Sequence, residues 1–154
     1  MKEFEEKLKK YIAENRIECE YFSFETSCHS VEDTAKTMNL SPSDIVKNIC
    51  LVDSNKRIMV CTVIGTDRVS TSTIAKNLGI QRPNIATPNE ILEKTGYPCG
   101  GVPSFGFDAF FLVDPKVMEK EFIYTSGGSE NTIIKITPTE NIKFSNAKVI
   151  KIRK

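Results

Sequence analysis

Lys47 is the first residue in this sequence whose type and place could do chemistry. Along Ile45-Val46-Lys47-Asn48-Ile49-Cys50-Leu51-Val52, strand alternation groups Lys47 with Ile45, Ile49 and Leu51. That set is the more apolar one; Val46, Asn48, Cys50 and Val52 form the other face. An ammonium on an apolar face is costly unless it meets an anion or a wet pocket, which makes Lys47 a candidate anion-binding residue. A lysine near a strand start more often snorkels to solvent, so parity alone makes Lys47 no more than a candidate. The second feature is Gly100-Gly101-Val102-Pro103-Ser104-Phe105-Gly106. Glycines let a backbone approach a ligand and aim N–H groups at a phosphate or an oxyanion. No Gly-Lys-Ser/Thr follows and the segment leads into a strand, so it departs from the nucleotide-binding loop pattern. On composition alone, an ordinary wide turn accounts for it better.

Thr125-Ser126-Gly127-Gly128-Ser129 is a second small-residue connection, which a flexible hairpin loop also explains. Ser104 or Ser126 with the single histidine, His29, could form a nucleophile–base pair, but no elbow motif surrounds either serine. His29 reads more simply as a loop or packing residue. The five cysteines, Cys19, Cys28, Cys50, Cys61 and Cys99, are odd in number and contain no C-x-x-C pair, which fits free thiols in a reducing compartment. Only Cys28 and His29 adjoin, short of the spaced pairs a structural zinc needs. No metal or other cofactor is expected. Lys143, Lys148, Lys151, Arg153 and Lys154 form a basic run that could touch phosphates; an edge strand protected by lysines explains it as well.

These residues sit in a chain of 154, with 21 basic and 20 acidic side chains and a formal charge of +1. The near-balance excludes a histone-like nucleic-acid binder and a charge-driven disordered tail. No stretch approaches the roughly 18 apolar residues of a membrane span, and Met1 to Arg16 lacks the apolar segment of a signal peptide. A cytoplasmic protein without membrane contact is the expectation.

The elements that must position the candidate residues read as follows. A helix is predicted over 2–14, with Phe4, Leu8, Tyr11 and Ile12 on one face, then a strand over 18–24. Ser30, with Asp33 three residues on, opens a short helix to Met38, and Ser41-Pro42 starts another helical turn. Ile45–Val52 and Ile58–Ile64 flank a polar connection as a hairpin. Helices follow from Ser72 to Leu78, ended by Gly79, and after Thr87-Pro88-Asn89-Glu90, ended by Gly96. Beyond an irregular stretch at 98–106, strands are expected at 107–113, 121–125, 132–136 and 148–152, with a short helix after Thr137-Pro138. Recurrent hairpins without strict alternation give a single α+β domain over 1–154 with a mixed, mainly antiparallel sheet.

Asp44-Ile45-Val46-Lys47-Asn48-Ile49, then Gly65-Thr66-Asp67-Arg68-Val69, Ile85-Ala86-Thr87-Pro88-Asn89-Glu90-Ile91, Thr95-Gly96-Tyr97 and the Gly100–Gly106 loop follow one another in an order and spacing that carry more than any one of them. Together they resemble the YbaK/ProX family of aminoacyl-tRNA deacylases, related to the editing domain of bacterial prolyl-tRNA synthetase. The resemblance runs from about Ser30 to Ile142. It implies a partly barrel-like sheet around a small cleft. It also implies hydrolysis of the ester in mischarged tRNA, typically Ala or Cys on proline tRNA, with aminoacyl-tRNA and prolyl-tRNA synthetase as partners. Under the resemblance Lys47 matches the family lysine that binds substrate near the terminal adenosine. Gly100, Gly101 and Gly106 match the loop whose backbone lines the aminoacyl site. The expected site therefore has Lys47 and Gly101 as catalytic positions, with Gly100, Val102, Pro103, Ser104, Phe105, Gly106, Gly127, Gly128 and His29 binding substrate. Many members carry Pro where this chain has Ser104 and His where it has Phe107.

That chemistry suits these residues. A synthetase pocket separates small apolar side chains by only about 1–3 kcal/mol, so a second, hydrolytic sieve is useful. An aminoacyl ester is labile, and positioning a water while stabilising the oxyanion suffices without metal or covalent nucleophile. A non-catalytic module that binds tRNA or docks on a synthetase, and a hydrolase of another small ester, would keep the same lysine and loop.

Overall fold

The computed structural model describes residues 2–28 and 30–154. Helix α1 (Lys2–Glu14) buries Leu8 completely and lays Phe4, Tyr11 and Ile12 on the main core. Strand β1 (Cys19–Ser23) pairs antiparallel with β7 (Thr132–Ile136), which pairs antiparallel with β6 (Ile123–Ser126). The second sheet has five strands in the order β4 (Asn84–Ile85), β2 (Val46–Val52), β3 (Ile58–Ile64), β5 (Phe110–Val113) and β8 (Lys148–Val149). Pairing is antiparallel among β4, β2 and β3, and parallel from β3 to β5 and from β5 to β8. The sheets meet at one parallel bridge, Ile45 to Tyr124, and neither closes into a barrel. The α+β expectation holds, with two sheets where one partly barrel-like sheet was expected.

Helices α2 (Val31–Met38), α3 (Thr71–Leu78), α4 (Pro88–Thr95) and α5 (Pro138–Ser145) begin where their caps predict. Ser30 accepts from the Asp33 N–H, and Thr87 with Glu90 closes a reciprocal capping box after which Gly96 takes a left-handed conformation. Every residue of β3 is buried, because the five-stranded sheet is covered on both faces. Val60 and Ile64 face the main core, whereas Met59, Cys61 and Val63 face a smaller cluster with Ile74 of α3.

Two strands are shorter than expected. Gly106, at φ +99°, turns the chain so that β5 starts only at Phe110, while Phe107 packs between Tyr97 and Phe111. Beyond β8 the Ile150 N–H still donates to the Val113 carbonyl, but the N–H groups of Ile152 and Arg153 are drawn to a side chain. The buried Asp114 carboxylate accepts from Ile152 N at 3.0 Å and Arg153 N at 3.3 Å, and pairs with the Arg153 guanidinium at 2.7 Å. The same carboxylate caps a 3-10 turn at Pro115–Glu119.

Candidate functional site

A cavity of about 340 Å³ opens where the two sheets meet. Its walls are Val31 and Thr34 of α2, the start of β2 including Lys47 and Asn48, the residues Cys99, Gly100 and Val102, and Thr125 and Ser126 of β6. Ser30 caps α2 at this wall, and the capped 3-10 turn Pro42–Asp44 delivers the chain into β2. The Lys47 ammonium makes no hydrogen bond or ion pair within the protein among the described residues, and it is the only basic side chain lining the cavity there.

Lys47, Gly100 and Val102 therefore border one space. The rest of the expected glycine site lies elsewhere. Gly101 faces the neighbouring loop: a Cβ there would come within 2.8 Å of Ser129 Cα and N and 2.9 Å of Gly128 C. Its φ is not in the left-handed region, which Gly100 (φ +88°) and Gly106 occupy instead. Pro103, Ser104 and Phe105 are buried, and Phe105 packs against Tyr11 of α1. A Cβ on Gly106 would approach Leu8, and one on Gly128 would approach the Phe4 carbonyl, so both glycines face α1. Gly127 accepts a hydrogen bond from the Tyr21 hydroxyl, whose pKa burial pushes up to about 12. In the second loop it is thus Thr125 and Ser126, not Gly127 and Gly128, that reach the cavity. His29 lies outside the described residues.

Asn48 is a cavity-lining position that the strand pattern conceals. Its Nδ2 donates to the Val102 carbonyl and to Thr125 Oγ1, both at 2.9 Å, and its Oδ1 accepts from Thr62 Oγ1 at 2.7 Å. Alternation assigned Asn48 to the less apolar face of β2, yet Val46, Cys50 and Val52 of that face pack into the main core. A strand covered on both sides has no single inward parity. The available signal was the cross-strand pair Asn48–Thr62, two polar residues directly opposite each other in an apolar hairpin.

Of the two cavity cysteines, Cys28 is held protonated by burial, only partly opposed by hydrogen bonds from Thr37 and Thr34. Cys99 is the exposed one, at the rim. Behind the wall, burial pushes Cys50 up to about 12. Ser104 Oγ lies 2.6 Å from Asn141 Oδ1 and 3.2 Å from Thr125 Oγ1. Among the described residues the cavity offers a cation and backbone groups.

Residues 25–144 match the aminoacyl-tRNA editing domain family. This chain belongs to that family. Among relatives of the editing domain, the uncharacterised protein YwhH of Bacillus subtilis (strain 168) is 30% identical over 128 residues, covering 82% of this chain and 81% of that protein. Two solved structures superpose with a TM-score of 0.88. The hypothetical protein APE2540, 24% identical, is matched over 96% of this chain and 99% of its own. A candidate trans-editing enzyme for prolyl tRNA synthetase, 20% identical, is matched over 97% and 96%. At these identities the superpositions establish a shared fold. No helix among the described residues is long and apolar enough to cross a membrane.

Proposed function

We propose that this editing domain is a trans-editing deacylase that hydrolyses the ester of mischarged tRNA, with a small residue such as Ala or Cys on proline tRNA as its substrate. The observation that carries the reading is the meeting of Lys47 with the Gly100–Val102 backbone in one small cavity of an editing-family chain. At about 340 Å³ the space lies at the low end for small-molecule sites, which favours a short aminoacyl group over a long one. Lys47 would hold an anionic or electron-rich group of the terminal nucleotide. Gly101 N–H is committed to the Pro98 carbonyl at 2.9 Å, so the loop donors left to face the oxyanion are those of Gly100 and Val102. Gly101 supports them by letting the two loops touch. Water is the nucleophile, positioned with help from the vicinal hydroxyl of the terminal ribose.

No group of three His, Cys, Asp or Glu side chains among the described residues is placed to hold a metal, and we propose metal-independent hydrolysis. The test is deacylation of a panel of mischarged and correctly charged tRNAs, with and without chelator. Faster loss of Ala or Cys from proline tRNA than of Pro, unchanged by chelator, is expected. Uniform inactivity across the panel, or activity abolished by chelator and restored by zinc, would sink the proposal.

A further inference from the structure

Counting protons along the polar contacts beside the cavity gives them a direction. Ser104 has one hydroxyl proton, and Asn141 Oδ1 can only accept, so the 2.6 Å contact takes that proton. Ser104 Oγ is also placed as a donor to Thr125 Oγ1, at the longer distance of 3.2 Å. Thr125 in turn accepts from Asn48, whose Oδ1 accepts from Thr62. One continuous chain of contacts results: Thr62 donates to Asn48, Asn48 donates to Thr125 and to the Val102 carbonyl, and the Ser104 hydroxyl links Thr125 to Asn141. Thr62, Thr125, Ser104 and Asn141 are each only 1% exposed, so water cannot replace a missing member cheaply.

The chain crosses the joint between the sheets, since Asn48 and Thr62 belong to the five-stranded sheet and Thr125 to the three-stranded one. Val102 and Ser104 are its members in the glycine loop, and of the two it is Val102 that borders the cavity. We propose that Asn48 is a positioning residue: by donating at once to the Val102 carbonyl and to Thr125, it fixes how the glycine loop sits across the cavity from β6. Thr62 orients it. Its hydroxyl donates to Oδ1, which leaves the NH₂ end, and not the carbonyl end, facing Val102. The inference rests on the deacylase reading for its activity readout, but the loop it concerns can be followed without activity.

The decisive variant is N48D. A protonated carboxyl can donate to the Val102 carbonyl; an ionised one sets two acceptors against each other. The titratable groups lining the same cavity among the described residues are Lys47, Cys28, Cys99 and Tyr124, and the chain itself contains none. Turnover of N48D relative to the parent is therefore expected to fall as pH rises through the new carboxyl's pKa, reaching about a 10²-fold loss, the scale of a misplaced reacting group. N48L should show that loss at every pH. T62V should lose activity while T62S retains it. Amide hydrogen exchange in the Gly100–Phe105 segment, compared with the parent at each pH, should quicken in step with the N48D loss. If the parent is active and N48D follows the parent's pH profile, or T62V matches T62S, the positioning role is wrong. If the parent hydrolyses nothing on the panel, the deacylase reading fails. Asn48 is then judged on exchange alone, and unaltered exchange in N48D overturns the inference.

Discussion

Cys99, Gly100 and Val102 border the cavity, whereas Pro103, Ser104, Phe105 and Gly106 run on beneath α1 into the main core. The two halves of one glycine-rich segment thus have opposite environments. In the first half, backbone groups face open space beside Lys47. In the second, an aromatic ring and a hydroxyl are buried, and the glycine serves the turn and its contact with Leu8. The pivot is Gly101, whose missing side chain lets the segment touch the backbone of Gly128 and Ser129. A recognisable loop therefore extends beyond the site it serves, and composition does not mark where the site ends.

Substitutions that separate function from stability sharpen this contrast. Phe105→Ala should cost about 3–5 kcal/mol of stability, the range for deleting a buried phenyl ring, since Phe105 is fully buried against Tyr11. Lys47→Ala should leave the unfolding midpoint near that of the parent, because its ammonium has no protein partner to lose among the described residues. It should slow deacylation about 10²-fold, as expected when a charge-assisted contact worth about 1.5–3 kcal/mol is removed. Thermal unfolding and single-turnover deacylation of both proteins decide the matter. A destabilised Lys47→Ala with normal turnover would erase the distinction between the halves.

Gly101→Ala comes next. The added methyl would lie 2.8–2.9 Å from backbone atoms of Gly128 and Ser129, which cannot rotate away as a side chain could. The two loops must part, moving Gly100 and Val102 relative to Thr125. A loss of about 10²-fold in turnover is expected, by displacement rather than by a forbidden φ. Parent-like turnover would mean that the cavity tolerates a spread loop, and would detach Gly101 from the site.

The helices, the hairpin and the α+β class were legible because caps and apolar periodicity are local signals: Ser30, Thr87 and Thr137 each cap where expected. The meeting of Lys47 and Gly100 at one cavity was legible only through family resemblance, since strand parity alone left Lys47 free to point at solvent. Asn48 was not legible. Its partners Val102 and Thr125 lie 54 and 77 residues away, and no local pattern encodes such a meeting. The capture of the Ile152 N–H by Asp114 escaped for the same reason, because the carboxylate lies 38 residues away.

The smallest effect on turnover belongs to Ser104→Ala. The hydroxyl sits in the buried half of the loop, at the far end of the hydrogen-bond chain from Asn48, and does not line the cavity. Its removal leaves the Asn141 carbonyl oxygen without the 2.6 Å donor and Thr125 Oγ1 without its 3.2 Å hydroxyl neighbour, in a region closed to water. A loss of about 1–3 kcal/mol in stability follows from an unsatisfied buried group of this kind. Val102 keeps its own bond from Asn48, so the loop edge at the cavity stays placed and turnover should fall only severalfold, well short of Gly101→Ala. Denaturant titration alongside deacylation measures both quantities. Family members with proline at this position lack the hydroxyl altogether, which agrees with a supporting role. An inactive but fully stable Ser104→Ala protein, with an aminoacyl group trapped on Ser104 in the parent, would instead establish covalent catalysis and move the site into the half of the loop assigned here to the core.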